Sequence, residues 1–358
     1  MNPGTPMSHL QKSHRRTGLR PIIGLSLLAM FGLLPASALA QTDTLHPTSG
    51  NPVRGTILSA GREGVVMRVG QAEQTFAPAR IEKIAFQGDP TGLTRGREAA
   101  LDGQYGQAIE ELRTVDLGRL GRDIVRQDVL FYQVYSQARL ALAGQGDKNK
   151  AIAAVFDFAR QNPTSWHFFA AARLSGDLAL AIDDYDRAIR FYGSLQGAPS
   201  EEAKVEMRYL IGMAELRRGD LAKARGGFDD VIGVRLESPE VARMQTLARA
   251  GKAIALARGG EAEQGVELAK GLIADLNPAD SALAAQIYNA LGASYAAAGD
   301  AEGAVLAYLH THLMFSGQGA SHAEALAELV QLWETIGHPD RAAEARQELR
   351  QRYPGFQS

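Results

Sequence analysis

A chain of 358 residues with 38 Lys and Arg against 40 Asp and Glu has a net charge of −2, no support for binding nucleic acid. Hydrophobic residues make up 45 % and no long polar low-complexity run occurs, so the body is expected to be folded and largely helical. The absence of cysteine excludes disulfide staples, thiolate catalysis, Cys-based zinc sites and a lipid-bearing N-terminal cysteine.

The first forty residues have the three-part layout of a secretory signal peptide. Arg15, Arg16 and Arg20 precede an apolar run from Ile22 to Leu34, then Pro35 and the small-residue ending Ala38-Leu39-Ala40. Residues 21–40 are just long enough to be kept as a membrane anchor. Gly24, Gly32, Pro35 and the Ala-x-Ala ending favour cleavage before Gln41. The Arg15-Arg16 pair lacks the large apolar residue that the twin-arginine route expects. Removal of residues 1–40 leaves 34 basic against 40 acidic side chains, a net charge of −6. The expected address is periplasmic or otherwise exported.

Residues 41–52 are polar, contain Pro47 and Gly50, and read as a flexible leader. A different period follows over 53–87. Residues 53–58, 64–69, 74–76 and 81–86 place β-branched and aromatic side chains at near-alternate positions, separated by Gly61, Gly64, Gly70 and Pro78. This predicts a small module of three or four short antiparallel strands, too small to stand alone, which packs on the first helices or on a partner. Gly88, Asp89, Pro90 and Gly92 form a linker.

From residue 91 to the end the text is helical and punctuated. Turn signals fall at Gly103, Gly146, Asp183, Gly219, Gly259, Gly299 and Gly337, at intervals of 36 to 43 residues. A small residue follows each turn: Ala108, Ala151, Ala188, Ala224, Gly265, Ala304 and Ala342. Four residues on stands a larger one in five repeats: Leu112, Val155, Tyr192, Phe228 and Tyr308. Ala269 and Arg346 depart from this. The pattern has a geometric reason. Two helices lie close and nearly antiparallel only where small side chains meet, and Gly176, Gly212, Gly251 and Gly292 supply that on the first helices. Glycine in the turn ends the first helix, and the Asp that follows caps the second. Pro163 and Pro354 stop second helices. The last helix, 342–352, is rich in Arg, Glu and Gln, as a terminal cap facing water requires.

Tyr288, Leu291, Gly292, Tyr295, Ala304 and Tyr308 together resemble the signature of the tetratricopeptide repeat family. Ile211, Gly212, Gly219, Asp220, Ala224 and Phe228 are a second match. The resemblance covers 91–358 and implies a mainly α fold, an α-solenoid of about seven helix hairpins behind the β module. The spacing exceeds the usual ~34 residues, so helix lengths differ from the family's. The strand spacing of 53–87 resembles the small SH3-like or Sm-like barrels fused near the N-terminus of bacterial envelope proteins.

Chemistry-bearing motifs are scarce. His310 and His312 are two apart and point to different faces of a helix, so they do not jointly ligate a metal. His167 beside Trp166, Phe168 and Phe169 reads as a packed helix start. Asp183-Asp184, Asp229-Asp230 and Glu201-Glu202 sit at turns or helix starts, where negative charge suits capping and the helix dipole. Ser294 lies inside a helix rather than in a nucleophile elbow. The glycine pairs Gly226-Gly227 and Gly259-Gly260 lack the Lys and Ser/Thr of a phosphate loop. No catalytic residue, metal or cofactor is therefore assigned.

What remains is the surface of the stack. The first helix of each unit lines the concave side in this family, and the helical period from the glycine contacts gives Arg173, Asp177, Tyr209, Met213, Gln286 and Asn289 as groove residues. These types read an extended peptide or a partner helix. The resemblance implies a non-enzymatic protein–protein interaction scaffold of the cell envelope, touching membrane only through partners. An assembly or division factor that recruits cell-wall or outer-membrane machinery is the alternative. A glycan-binding or wall-modifying solenoid comes third.

Overall fold

The computed structural model describes residues 42–277 and 279–356. The expected signal peptide lies outside the described residues. Five strands come first: β1 (Asp43–Pro47), β2 (Val53–Gly61), β3 (Gly64–Val69), β4 (Ala72–Phe76) and β5 (Ile81–Ala85), with a one-turn 3-10 helix, Pro78–Arg80, between the last two. They pair antiparallel in the order β4-β3-β2-β1-β5. Leu45 faces Val53 on one side and Ile84 on the other. Leu45, Val65, Met67 and Ile84 are fully buried and form the module's core.

The stretch read as a flexible leader therefore contains β1, which lies between β2 and the edge strand β5. Its composition is polar, and long-range contacts order it. Asp43 is 3 % exposed. Its carboxylate accepts both terminal nitrogens of Arg122 at 2.7 and 3.0 Å, and the backbone N–H of Gln87 at 2.8 Å and Ile57 at 3.1 Å.

Fourteen α-helices follow as seven hairpins: α1 (Thr91–Leu101) with α2 (Tyr105–Arg113), α3 (Asp123–Leu142) with α4 (Lys148–Gln161), α5 (Phe168–Leu180) with α6 (Tyr185–Gly193), α7 (Glu201–Arg218) with α8 (Leu221–Ile232), α9 (Pro239–Arg258) with α10 (Ala262–Ala274), α11 (Ser281–Ala297) with α12 (Ala301–Met314), and α13 (Gly319–Thr335) with α14 (Pro339–Arg352). Asp147, Asp184, Asp220 and Asp300 each accept a backbone N–H in the first turn of the second helix, as the capping argument requires. In the second hairpin the left-handed turn residue is Gly144 rather than Gly146, and in the third Asp183 takes that conformation itself.

The small-and-large pattern has its expected meaning. A β-carbon added to Gly176 would lie 2.3 Å from the Tyr192 ring, and one on Gly292 would lie 2.6 Å from the Tyr308 ring. Phe228 touches two glycines, Gly212 of its own hairpin and Gly251 of the next. Tyr192, Phe228 and Tyr308 are all at most 1 % exposed. Removing such a ring costs about 3–5 kcal/mol, so these contacts fix the stacking distance as well as the stability.

Two long-range contacts set the shape. After α14 the chain lays Gly355 against Gly144, backbone on backbone, and Lys148 Nζ donates to the Gly355 carbonyl at 3.0 Å. The seventh hairpin thus meets the turn of the second, and the array winds back onto itself. The polar last helix buries only Ala342, Ala345 and Leu349. The sheet lies along the rim where the first helices begin. Lys83 pairs with Glu98, Arg62 N–H donates to the Thr164 carbonyl at 2.9 Å, and Arg80 reaches Glu202 at 2.8 Å and Glu240 at 2.6 Å. Among the described residues no helix is long and apolar enough to cross a membrane.

Candidate functional site

Where the segment before β5 meets α3, α5 and α7, a cavity of about 380 Å³ opens. Its walls come from successive first helices: Tyr135 and Arg139 of α3, Arg173 and Asp177 of α5, and Glu206 of α7. Trp166 and Phe169 add aromatic surface. The charges are held in place. Arg139 Nε donates to the Tyr105 hydroxyl at 3.1 Å, Arg173 pairs with Glu206 at 3.0 Å, and the Tyr192 hydroxyl donates to Asp177 at 2.9 Å. Burial pushes the Tyr135 hydroxyl pKa up, so it stays protonated as a donor. A more open depression of about 600 Å³ lies between the linker and the α2–α3 loop, but its charged side chains are already engaged, Arg122 with Asp43 and Arg119 with Asp116.

Next to this cavity lies a buried charge network. Arg97 donates to Asp89 at 2.5 Å and to Asp128 at 3.0 Å, and His167 Nε2 bonds the other Asp128 oxygen at 2.8 Å. Arg97, Asp128 and His167 are all at most 2 % exposed. Burial raises the Asp89 pKa despite the guanidinium beside it. Burial also lowers that of His167 against the pull of Asp128. The imidazole is stacked on Phe131 at 3.7 Å with Trp166 also at 3.7 Å, and only 2 % of it is exposed where it borders the cavity. The network ties α1, α3 and the start of α5 together, in keeping with the packed helix start read for His167.

The six groove residues divide. Arg173 and Asp177 meet in the cavity. Tyr209 and Met213 are half-buried against the cluster around Phe228, and burial, with the Glu324 carboxylate adding to it, pushes the Tyr209 hydroxyl up to about 12. Gln286 is half-buried and reaches back to the Ala282 carbonyl at 3.4 Å. Asn289 is 3 % exposed and donates to the Ser321 carbonyl at 2.9 Å and to Glu324 at 3.1 Å. It joins α11 to α13, because its phase turns it into the helix–helix contact. Tyr135, Arg139 and Glu206 were missed. The signal was the ladder Phe131, Tyr135, Arg139 at four-residue steps, but α3 has no glycine to fix its phase.

His310 and His312 separate as their spacing demands. His310 stacks on Tyr288 with ring centres 4.6 Å apart. His312, however, meets His322 of α13. With Glu348 of α14, their ligand atoms lie within 4.8 Å of one another. That cluster spans three helices, and spacing within one helix does not reveal it.

No family model matches the sequence, and no curated protein matches it. Among solved structures the chain is similar to a tetratricopeptide repeat protein from Parabacteroides merdae, with 16 % identity over 74 % of this chain and 94 % of that one, at a TM-score of 0.51. It also aligns with the apo form of RapI, at 12 % identity over 72 % and 74 % of the two chains and a TM-score of 0.45. A third match is BtubC from P. vanneervenii, at 14 % identity over 61 % and 90 % and a TM-score of 0.38. The first likeness is one of fold: this is a tetratricopeptide-type stack of helix hairpins.

Proposed function

We propose that this chain is a non-enzymatic protein-interaction scaffold of the bacterial cell envelope that grips an extended segment of a partner protein. The observation carrying this reading is the cavity at the junction of the sheet with α3, α5 and α7. Oriented guanidinium, carboxylate and phenol groups surround aromatic surface there, the mixture that recognises a peptide by both its backbone and its side chains. The His167–Asp128 pair at its edge is stacked between Phe131 and Trp166 and almost wholly buried, a packed setting that favours a structural over an acid–base role.

The envelope address rests on the basic, apolar and small-residue layout of residues 12–40. An assembly or division factor acting on wall or outer-membrane machinery is a narrower version of the same role. The strand order and the 3-10 turn before β5 favour reading the module as a small SH3-like barrel. Affinity capture from envelope extract tests the proposal, with wild type beside an Arg173→Glu, Tyr135→Ala double variant. Loss of specific partners in the variant is expected; identical capture would move binding away from this cavity.

A further inference from the structure

We propose that His312, His322 and Glu348 form a binding site for one divalent transition-metal ion of the zinc class, with Tyr353 and Arg352 as outer partners. This rests on geometry apart from the groove. His312 Nδ1 lies 2.8 Å from His322 Nε2, and Glu348 Oε1 lies 3.9 Å from that same nitrogen. Zinc binds these groups at about 2.0–2.2 Å, which places tetrahedral ligand atoms about 3.3 Å apart. The two observed separations lie on either side of that value, each about half an ångström away, within reach of small rotamer changes.

Two imidazoles and one carboxylate are a zinc-type donor set that leaves a fourth position for water. The ligands come from the last turn of α12, the first turn of α13 and the last turn of α14. The parallel rings of His312 and His322, 5.1 Å apart, bring one nitrogen of each within 2.8 Å of the other.

The outer partners are in place as well. The Tyr353 hydroxyl bonds His322 Nδ1 at 2.8 Å, which fixes the ring and leaves Nε2 as the coordinating atom. Arg352 Nη1 donates to Glu348 Oε1 at 2.9 Å and orients the carboxylate, while its positive charge weakens cation binding. His322 is fully buried, while His312 and Glu348 are only partly buried and leave an ion a way in.

The test is titration of the untagged full chain, stripped with chelator, with CoCl2 and then ZnCl2, read by calorimetry and by visible Co2+ absorption. One Co2+ per chain is expected, with tetrahedral bands that Zn2+ bleaches. Tyr353→Phe should weaken uptake about tenfold, the scale of an outer partner. His312→Ala and Glu348→Gln remove ligands and should weaken it more, while His310→Ala leaves it unchanged. Circular dichroism checks that each variant is folded. A titration without saturable uptake overturns the proposal, as does uptake that His312→Ala and Glu348→Gln leave intact.

Discussion

Lys148 Nζ donates to the carbonyl of Gly355 at 3.0 Å, joining residues 207 positions apart. The contact closes the array, because the chain leaving the last hairpin rests on the turn of the second. Gly144 makes the approach possible. Its φ is +82°, and a β-carbon there would lie 2.2 Å from the Gly355 Cα.

Gly144→Ala should therefore open the closure. It pays about 1–2 kcal/mol for a left-handed alanine and also pushes the tail away. Gly103→Ala is the matched control: its φ is +77° with nothing within 4 Å, so it pays strain alone. Small-angle scattering should show a larger maximum dimension for Gly144→Ala than for Gly103→Ala. Equal profiles would mean that the tail contact does not hold the array closed.

The buried network predicts a pH dependence. Asp128 and Arg97 are the charged groups facing His167, and the rings of Phe131, Tyr132 and Trp166 complete its surroundings. Burial keeps the folded-state pKa of His167 below its usual 6.5. The unfolded chain takes up this proton first as pH falls. The contribution is therefore full above 6.5 and is lost as pH drops toward the folded-state pKa. His167→Gln should flatten that part of the urea-midpoint profile between pH 7 and pH 5. Asp128→Ala leaves buried Arg97 with Asp89 alone, at a cost of about 3–5 kcal/mol. An Asp128→Ala midpoint equal to wild type would refute a structural role for the network.

Phe228 lies against two backbones at once. A β-carbon on Gly212 would come within 2.8 Å of its ring, and one on Gly251 within 2.5 Å. Gly251→Val should therefore destabilise the fourth and fifth hairpins by about 1–3 kcal/mol despite the loss of a helical glycine. Phe228→Leu, which withdraws the ring edge, should recover part of that loss, so the two changes are less than additive. Additive losses in a denaturation cycle would show that the ring and the glycine are not in contact.

The hairpin series was legible because it repeats. A glycine or Asp turn followed by a small residue and then a ring recurs often enough that Ala269 and Arg346 do not hide it. The lining of the candidate cavity was legible on α5, where a glycine fixed the helical phase, and lost on α3, which has none. Asn289 shows the limit of that method. One more step round the helix turns a groove residue into a packing residue, and it bonds Ser321 instead. The closure, the His312–His322 meeting and β1 depend on residues far apart in sequence, and no local period records them.

The last prediction concerns how the sheet is fastened. Arg80 reaches Glu202 and Glu240, but its side chain is 38 % exposed and theirs are 25 % and 47 % exposed. Solvent screens such pairs, and each contributes at most about 1 kcal/mol. Asp43 differs because it is buried, binds Arg122 twice and takes two backbone N–H groups. Burial alone would raise its pKa, yet Arg122 and the backbone donors outweigh that and hold it below 3.8. Its contribution is thus present above 3.8 and lost as pH falls through the lower folded value. Asp43→Ala strips β1 of this anchor and removes the acceptor of the Ile57 N–H and of the Arg122 guanidinium, a loss of about 2 kcal/mol or more. Hydrogen exchange should then rise along β1 and β5 at pH 7, while Arg80→Ala leaves both strands protected. If Arg80→Ala exposes β1 as much as Asp43→Ala does, the rim pairs rather than the buried carboxylate hold the sheet on the helices.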